Sequence, residues 1–352
     1  MTKMLQILPR HQLNTEAWNT CVKTSSQRIV YGYSWYLDAV LPAPDWKWVG
    51  IVLWDKSGQY RAVMPVPLRR KTIAGITYEW VVHQPFFCQF LSVFSADETV
   101  DTESFFQKMV DEFRYSSGVC LWPSPDKPLN GKFVEVRTTH ILNLGVGYQA
   151  IYQNYTRDRK INLRRAISAN WTLIESNDPE PLLALFREHH ADTIEGGVAD
   201  WAYVIFGKLF SELEKHNLAV LRYAVREGRI EAGALFVREG CRLIYLFNAA
   251  SEIGRRGNAR TLLIDQLFRS YAGKPVVFDF ESPAKQSIRN FYQSFGVVEE
   301  GFWVIRWNRL NWVEQSALSL NNQLRKISTA VSVRYSFSSP SPSNRAINQL
   351  RL

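Results

Sequence analysis

The chain has 352 residues, 46% hydrophobic and 13% aromatic, which is enough for a sizeable core and favours two domains. No run of about 18 consecutive apolar residues occurs, and Pro9 and Arg10 interrupt the start too early for a signal peptide, so neither a transmembrane helix nor a secretory leader is expected. A net charge of +9 and a pI near 9.3 favour polyanionic partners, while four scattered cysteines without paired spacing exclude a disulfide or zinc framework and point to reduced thiols in a cytoplasmic protein.

Residues 1–145 read as a first α/β unit. Tyr33–Leu41 has the aromatic density of a short helix, ended by Pro42 and Pro44. Residues 46–54 and 60–67 alternate as a strand pair across the turn Asp55-Lys56-Ser57-Gly58. A further strand is expected over 75–82. Phe105, Phe106, Met109, Val110 and Phe113 share one helical face within 102–115. Strands near 118–122 and 133–144 are expected to close this unit.

From Tyr148 the text becomes YQAIYQNYTRDRKINLRRAISANW, which a single helix accommodates. Its outward face would carry Arg157, Arg159, Lys160, Arg164 and Arg165, the densest cationic cluster in the chain. A solvated helix surface is one reading. Contact with a phosphate-bearing substrate or an RNA backbone is the other, because such side chains neutralise phosphate charge.

Residues 146–310 form a second α/β unit. Helices are expected over 181–190 and 201–217, then three strands over 219–225, 231–237 and 242–248 joined by Gly-containing turns, an antiparallel meander. A strand over 276–280, a helix over 284–295 and a strand over 302–307 complete a mixed α/β (α+β) sheet, distinct from a doubly wound dinucleotide fold. Residues 311–352 read as a short helix followed by a Ser-, Asn- and Pro-rich basic tail, expected to be mobile.

Between the strand ending near Ala249 and the helix that starts at Ala259 lies SEIGRRGN, a basic loop with two glycines. The free N–H groups of a helix's first turn favour anions, and Arg255, Arg256 and Arg260 add charge. It is not a phosphate loop of the Gly-Lys-Ser/Thr type. Further on, in VVFDFES, Asp279 and Glu281 alternate with Phe278 and Phe280, so a strand would turn both carboxylates to one face. Two like charges there would raise one pKa, which suits a general base. His189 and His190 lack the spacing of a metal site, and no metal is expected.

Several phrases then converge. Gly254-Arg255-Arg256-Gly257-Asn258-Ala259 resembles the Q/R-x-x-G-x-G/A donor loop of GNAT acyltransferases, with Gly254 where Gln or Arg is usual. The segment 287–296 resembles the same family's helix with a Tyr shortly before a closing Gly. YSWYLDAVLP, AVMPVPLRRK, QPFF and YQNYTRDRKINLRRA resemble FemAB-like proteins, which carry two GNAT-like halves. The resemblance implies tandem GNAT-like domains and transfer of an acyl group from acyl-CoA, acetyl-CoA first, to an amine. Aminoacyl-tRNA as the donor and a cell-wall precursor peptide as the acceptor are the Fem-type alternative, and a non-catalytic binding protein on the same scaffold is a third. It also implies a donor site at Phe247, Asn248, Ala249, Arg255, Arg256, Gly257, Asn258, Ala259 and Arg260, with a strand N–H near 247–249 meeting the acyl carbonyl. Tyr292 is then the candidate acid for the leaving group, and Asp279 and Glu281 are the candidate bases.

Overall fold

The computed structural model describes residues 5–73, 76–123, 133–194, 197–282 and 285–316. The expected tail from 317 onward lies outside the described residues. The first half opens with β1 (Leu5–Pro9) and α1 (Thr15–Thr24), whose first turn is capped where Asn14 accepts the Ala17 N–H. Then come α2 (Ser34–Val40), β2 (Trp46–Trp54), β3 (Tyr60–Ile73), β4 (Ile76–His83), α3 (Thr102–Glu112), β5 (Tyr115–Leu121) and β6 (Phe133–Asn143). The second half contains α4 (Tyr148–Gln153), α5 (Arg157–Ser168), β7 (Thr172–Ser176), α6 (Glu180–His189), α7 (Asp200–Lys215), β8 (Ala219–Arg226), β9 (Arg229–Glu239) and β10 (Arg242–Ala250). It continues through α8 (Glu252–Arg256), α9 (Ala259–Tyr271), β11 (Val277–Asp279), α10 (Gln286–Gln293) and β12 (Val298–Asn308).

All twelve strands join one mixed sheet in the order β1-β2-β3-β4-β5-β12-β6-β11-β10-β9-β8-β7. The expected meander is β8–β9–β10. Strand β6 does not sit beside β5, as its place in the sequence suggested. The last strand, β12, separates them and pairs antiparallel with both. Its long register with β6 runs from Val298 opposite Ile141 to Arg306 opposite Phe133, and each residue so paired satisfies backbone groups that local sequence cannot assign to a partner. The halves are thus joined through strand hydrogen bonds.

The sheet separates two cores. Leu235 and Phe236 are neighbours on β9 yet lie in different cores, as the pleat requires. One core takes Trp18, Phe90, Phe94, Phe105 and Phe206 from both halves. The other gathers Phe268, Phe278, Phe280 and Phe295 beneath α5, α9 and α10.

The single helix expected over 148–172 is two, because Thr156 starts a new one by accepting the Arg159 N–H at its side chain. That start fixes which faces point inward. Arg159 shares the buried face with Leu163 and Ala166, at i, i+4 and i+7, and therefore cannot join the outward cationic face.

Candidate active site between the two halves

Strand β11 pairs with β10 only from Arg242 opposite Val277 to Ile244 opposite Asp279. β11 stops there while β10 runs on to Ala250, with a bulge between Tyr245 and Phe247 in its pairing with β9. Beyond Ile244, β10 therefore has no β11 partner along that edge. Aromatic side chains occupy the divergence: Tyr292 lies 4.6 Å from Phe280 and 6.4 Å from Tyr245, centroid to centroid. The Tyr245 hydroxyl is buried without a hydrogen-bond partner, and burial pushes its pKa up to about 12. Burial holds the Tyr292 phenol well above its ordinary range, so it stays protonated at any physiological pH.

The two candidate carboxylates behave differently. Strand alternation ends at Asp279, and Glu281 follows in a left-handed conformation with φ 62°. Asp279 is fully buried. It accepts from Arg242 Nη1 at 2.8 Å, from the Glu281 N–H at 2.8 Å, and from the Thr139 hydroxyl. Arg242 also binds Glu300 and lies over the rings of Phe90 and Trp122. Asp279 is thereby committed to holding this junction. Glu281 instead lines a cleft of about 810 Å³ between the halves. It accepts from the Tyr31 hydroxyl of the first half, and burial pushes its carboxyl up to about 8. The Asp279 charge adds to that shift, but burial is the largest cause, contrary to the like-charge pairing expected from the strand.

The QPFF segment forms the opposite wall. Gln84 donates to Cys88 O at 2.7 Å and accepts from Cys120 N at 2.9 Å, while the Tyr36 hydroxyl holds the carbonyl of Phe87, itself at φ 55°. Gln89 Oε1 accepts the Ser282 N–H at 3.1 Å, tying this wall to the residue after Glu281. Sequence reasoning missed Tyr31, Gln89 and His140. His140 is buried on β6, 6.0 Å from the Tyr292 ring and 3.5 Å from Glu299 Oε1, and burial lowers its pKa so that the ring is neutral. No local pattern marks these residues: His140 reaches the site on a paired strand, Gln89 on the loop after β4, and Tyr31 on a single 3-10 turn before α2.

On the donor side, the SEIGRRGN segment is largely helical. Ser251 caps α8 by accepting the Gly254 N–H at 3.0 Å. A Cβ at Gly254 would lie 2.1 Å from Glu231 O, so the close approach of α8 to β9 excludes the Gln or Arg usual at this position. Gly257 packs under Trp171 in the same way, and a Cβ added there would lie 2.3 Å from the ring. Asn258, at φ 55°, turns the chain into α9 behind it. Arg255 donates to Ala250 O at 2.8 Å, and Arg256 forms an exposed ion pair with Glu252. Arg260 donates to Asn248 Oδ1 at 2.9 Å and covers the Phe291 ring. Phe247 packs on Phe186 and Phe206, and Ala249 and Ala259 are buried.

Of the five α5 cations, Arg157, Arg164 and Arg165 are exposed, and Lys160 donates to Gln153 O at 2.8 Å. Arg159 is not a surface contact. It lies between Phe291 and Phe295, donates to Ser294 Oγ and Thr261 Oγ1, and burial lowers its pKa to about 10.

Residues 155–284 match the acetyltransferase (GNAT) domain family. No curated protein sequence matches the chain. Among solved structures, FemX is similar over 86% of this chain and 97% of its own, at 12% identity and a TM-score of 0.60. A conserved protein of unknown function from Bacteroides thetaiotaomicron is similar over 87% of this chain and all of its own, at 10% identity and a TM-score of 0.56. The C-terminal domain of a putative lysylphosphatidylglycerol synthetase from Agrobacterium fabrum is similar over 88% and 95%, at 14% identity and a TM-score of 0.50. No helix among the described residues is long and apolar enough to cross a membrane. The chain thus shares the mixed α/β fold of FemX, and residues 155–284 within it resemble the GNAT acetyltransferase domain.

Proposed function

We propose that the protein is an N-acyltransferase that moves an acyl group, acetyl in the first instance, from an acyl-CoA to an amine held beside Glu281. The observation that supports this most is Glu281 itself, a cleft-lining carboxyl raised to about 8 at the point where β10 and β11 diverge. Once ionised, as pH rises through about 8, a carboxylate of that strength takes the proton that the attacking amine loses. The amine nitrogen forms the new bond to the acyl carbon, its proton passes to Glu281, and the C–S bond breaks. The Tyr292 hydroxyl, protonated before the step, gives its proton to the departing thiolate and is reprotonated from solvent as Glu281 releases the proton it took. The donor would thread along the open edge of β10, with its diphosphate at the start of α9 beside Arg260.

The test is to incubate purified protein with acetyl-CoA and a panel of primary amines, following thiol release and product mass. Amine-dependent release that is lost in Glu281→Gln is the expected result. A folded protein that neither binds acetyl-CoA by calorimetry nor releases thiol would overturn the acyl-CoA reading. Exposed Arg157, Arg164 and Arg165 on α5 favour a second reading, aminoacyl-tRNA as donor with a cell-wall precursor peptide as acceptor. That reading requires tRNA binding that weakens steeply with salt. Donor binding without turnover on any acceptor would favour a non-catalytic binding protein.

A further inference from the structure

The cleft beside Glu281 contains hydrogen-bond donors that the protein leaves unused. Arg289 lines it from α10, half-buried, and its guanidinium makes no ion pair or hydrogen bond among the described residues. The cleft's other guanidinium, Arg137, is held by Glu135, with Nε 2.8 Å from Oε1. Glu299 is directed towards His140 and Gln293. On the facing wall Gln89 has spent its oxygen on the Ser282 N–H, and its Nε2 is buried without an acceptor. A buried N–H without a partner is unfavourable, and so is a partly desolvated guanidinium without a counter-charge. Both want oxygen, and the natural partner for a planar cation plus an amide N–H is a carboxylate.

The same cleft offers Glu281 and Glu299 to a cation. Its lining therefore presents separate acidic and donor groups, a pattern suited to a ligand carrying both an amine and an acid. From this we infer that the acceptor is an amine that also bears a carboxylate, with Arg289 and Gln89 binding the carboxylate while the amine faces Glu281. This rests on the acyltransferase reading and deepens it: a neutral alkylamine or an amino sugar would leave Arg289 and Gln89 Nε2 as they are now. Arg289 is a specificity-determining residue in this reading.

The experiment uses a molecular ruler. A series of ω-amino acids with one to five methylenes is compared with alkylamines of the same length, both as acceptors for acetyl transfer and as ligands in calorimetric titration without donor. At least one ω-amino acid should exceed its matched alkylamine about tenfold in kcat/KM and in affinity, the scale of one charge-assisted contact. That ratio should fall towards one in Arg289→Gln and be partly restored in Arg289→Lys. Matched series without discrimination, or discrimination that survives Arg289→Gln, would overturn the inference. If no amine is acetylated, the transfer reading fails, while the titration alone still decides whether this cleft selects a carboxylate.

Discussion

The Tyr31 hydroxyl in the first half donates to the Glu281 carboxylate in the second, so the proposed base is completed by a residue 250 positions away in sequence. That hydrogen bond favours the ionised carboxylate and opposes the upward shift caused by burial. Tyr31 is fully buried, and phenylalanine fills nearly the same volume. In Tyr31→Phe the acid limb of the kcat/KM profile should therefore move upward from about 8, by about half a unit to one unit. A limb that stays in place would separate Tyr31 from the base.

Glu281 also links pH to stability. Its carboxyl has an ordinary value of 4.5 and is raised to about 8 in the fold, so between these values unfolding releases a proton. This contribution to stability is full below 4.5 and is lost as pH rises through about 8. Glu281→Gln should remove that loss. Its unfolding free energy relative to the parent's should rise between pH 5 and 8, by on the order of 2 kcal/mol, while turnover is abolished. A constant margin across that range would contradict the assignment.

Asp279 should show the opposite division. It shares the buried Arg242 with Glu300 and fixes the Glu281 N–H. Asp279→Asn leaves the guanidinium with half its compensation and should cost about 3 kcal/mol in urea denaturation. An unchanged midpoint would show that Glu300 alone balances Arg242.

For Tyr292→Phe, turnover should fall by about two orders of magnitude with donor affinity little changed, the pattern of a lost proton donor. Equal turnover on an identified substrate would exclude the phenol from leaving-group protonation.

Gly254→Gln would restore the usual donor-loop residue, yet the structure argues against it. A side chain must displace Glu231 O, 2.1 Å from the new Cβ, so the variant should lose about 1–3 kcal/mol and gain no donor affinity. Tighter acetyl-CoA binding in a stable variant would show that α8 can move aside.

The sequence made the second half's order of elements legible, because the meander β8–β10 and the helices α9 and α10 follow local periodicity. It also indicated Glu281, although the strand rule behind that choice stops at Asp279 and burial raises the carboxyl instead. Charge density alone puts Arg159 on the outward face, whereas the helix start at Thr156 turns it inward. Strands β1 and β7, at the two edges of the sheet, are five residues each, too short for periodicity to stand out. Tyr31 and Gln89 carry no signal of their own. They become site residues only when the halves are joined.

That joining has a consequence for how the protein is made. Strand β12 supplies the neighbour of both β5 and β6, and among the described strands it is the last to be synthesised. Until residue 308 leaves the ribosome, β5 and β6 each present an open edge, and the cleft lacks the wall that Glu299 and Phe302 supply. A ribosome stalled before β12 would thus hold a nascent chain with two sticky edges and no assembled cleft. The cleft would be complete only after β12 has paired with both neighbours.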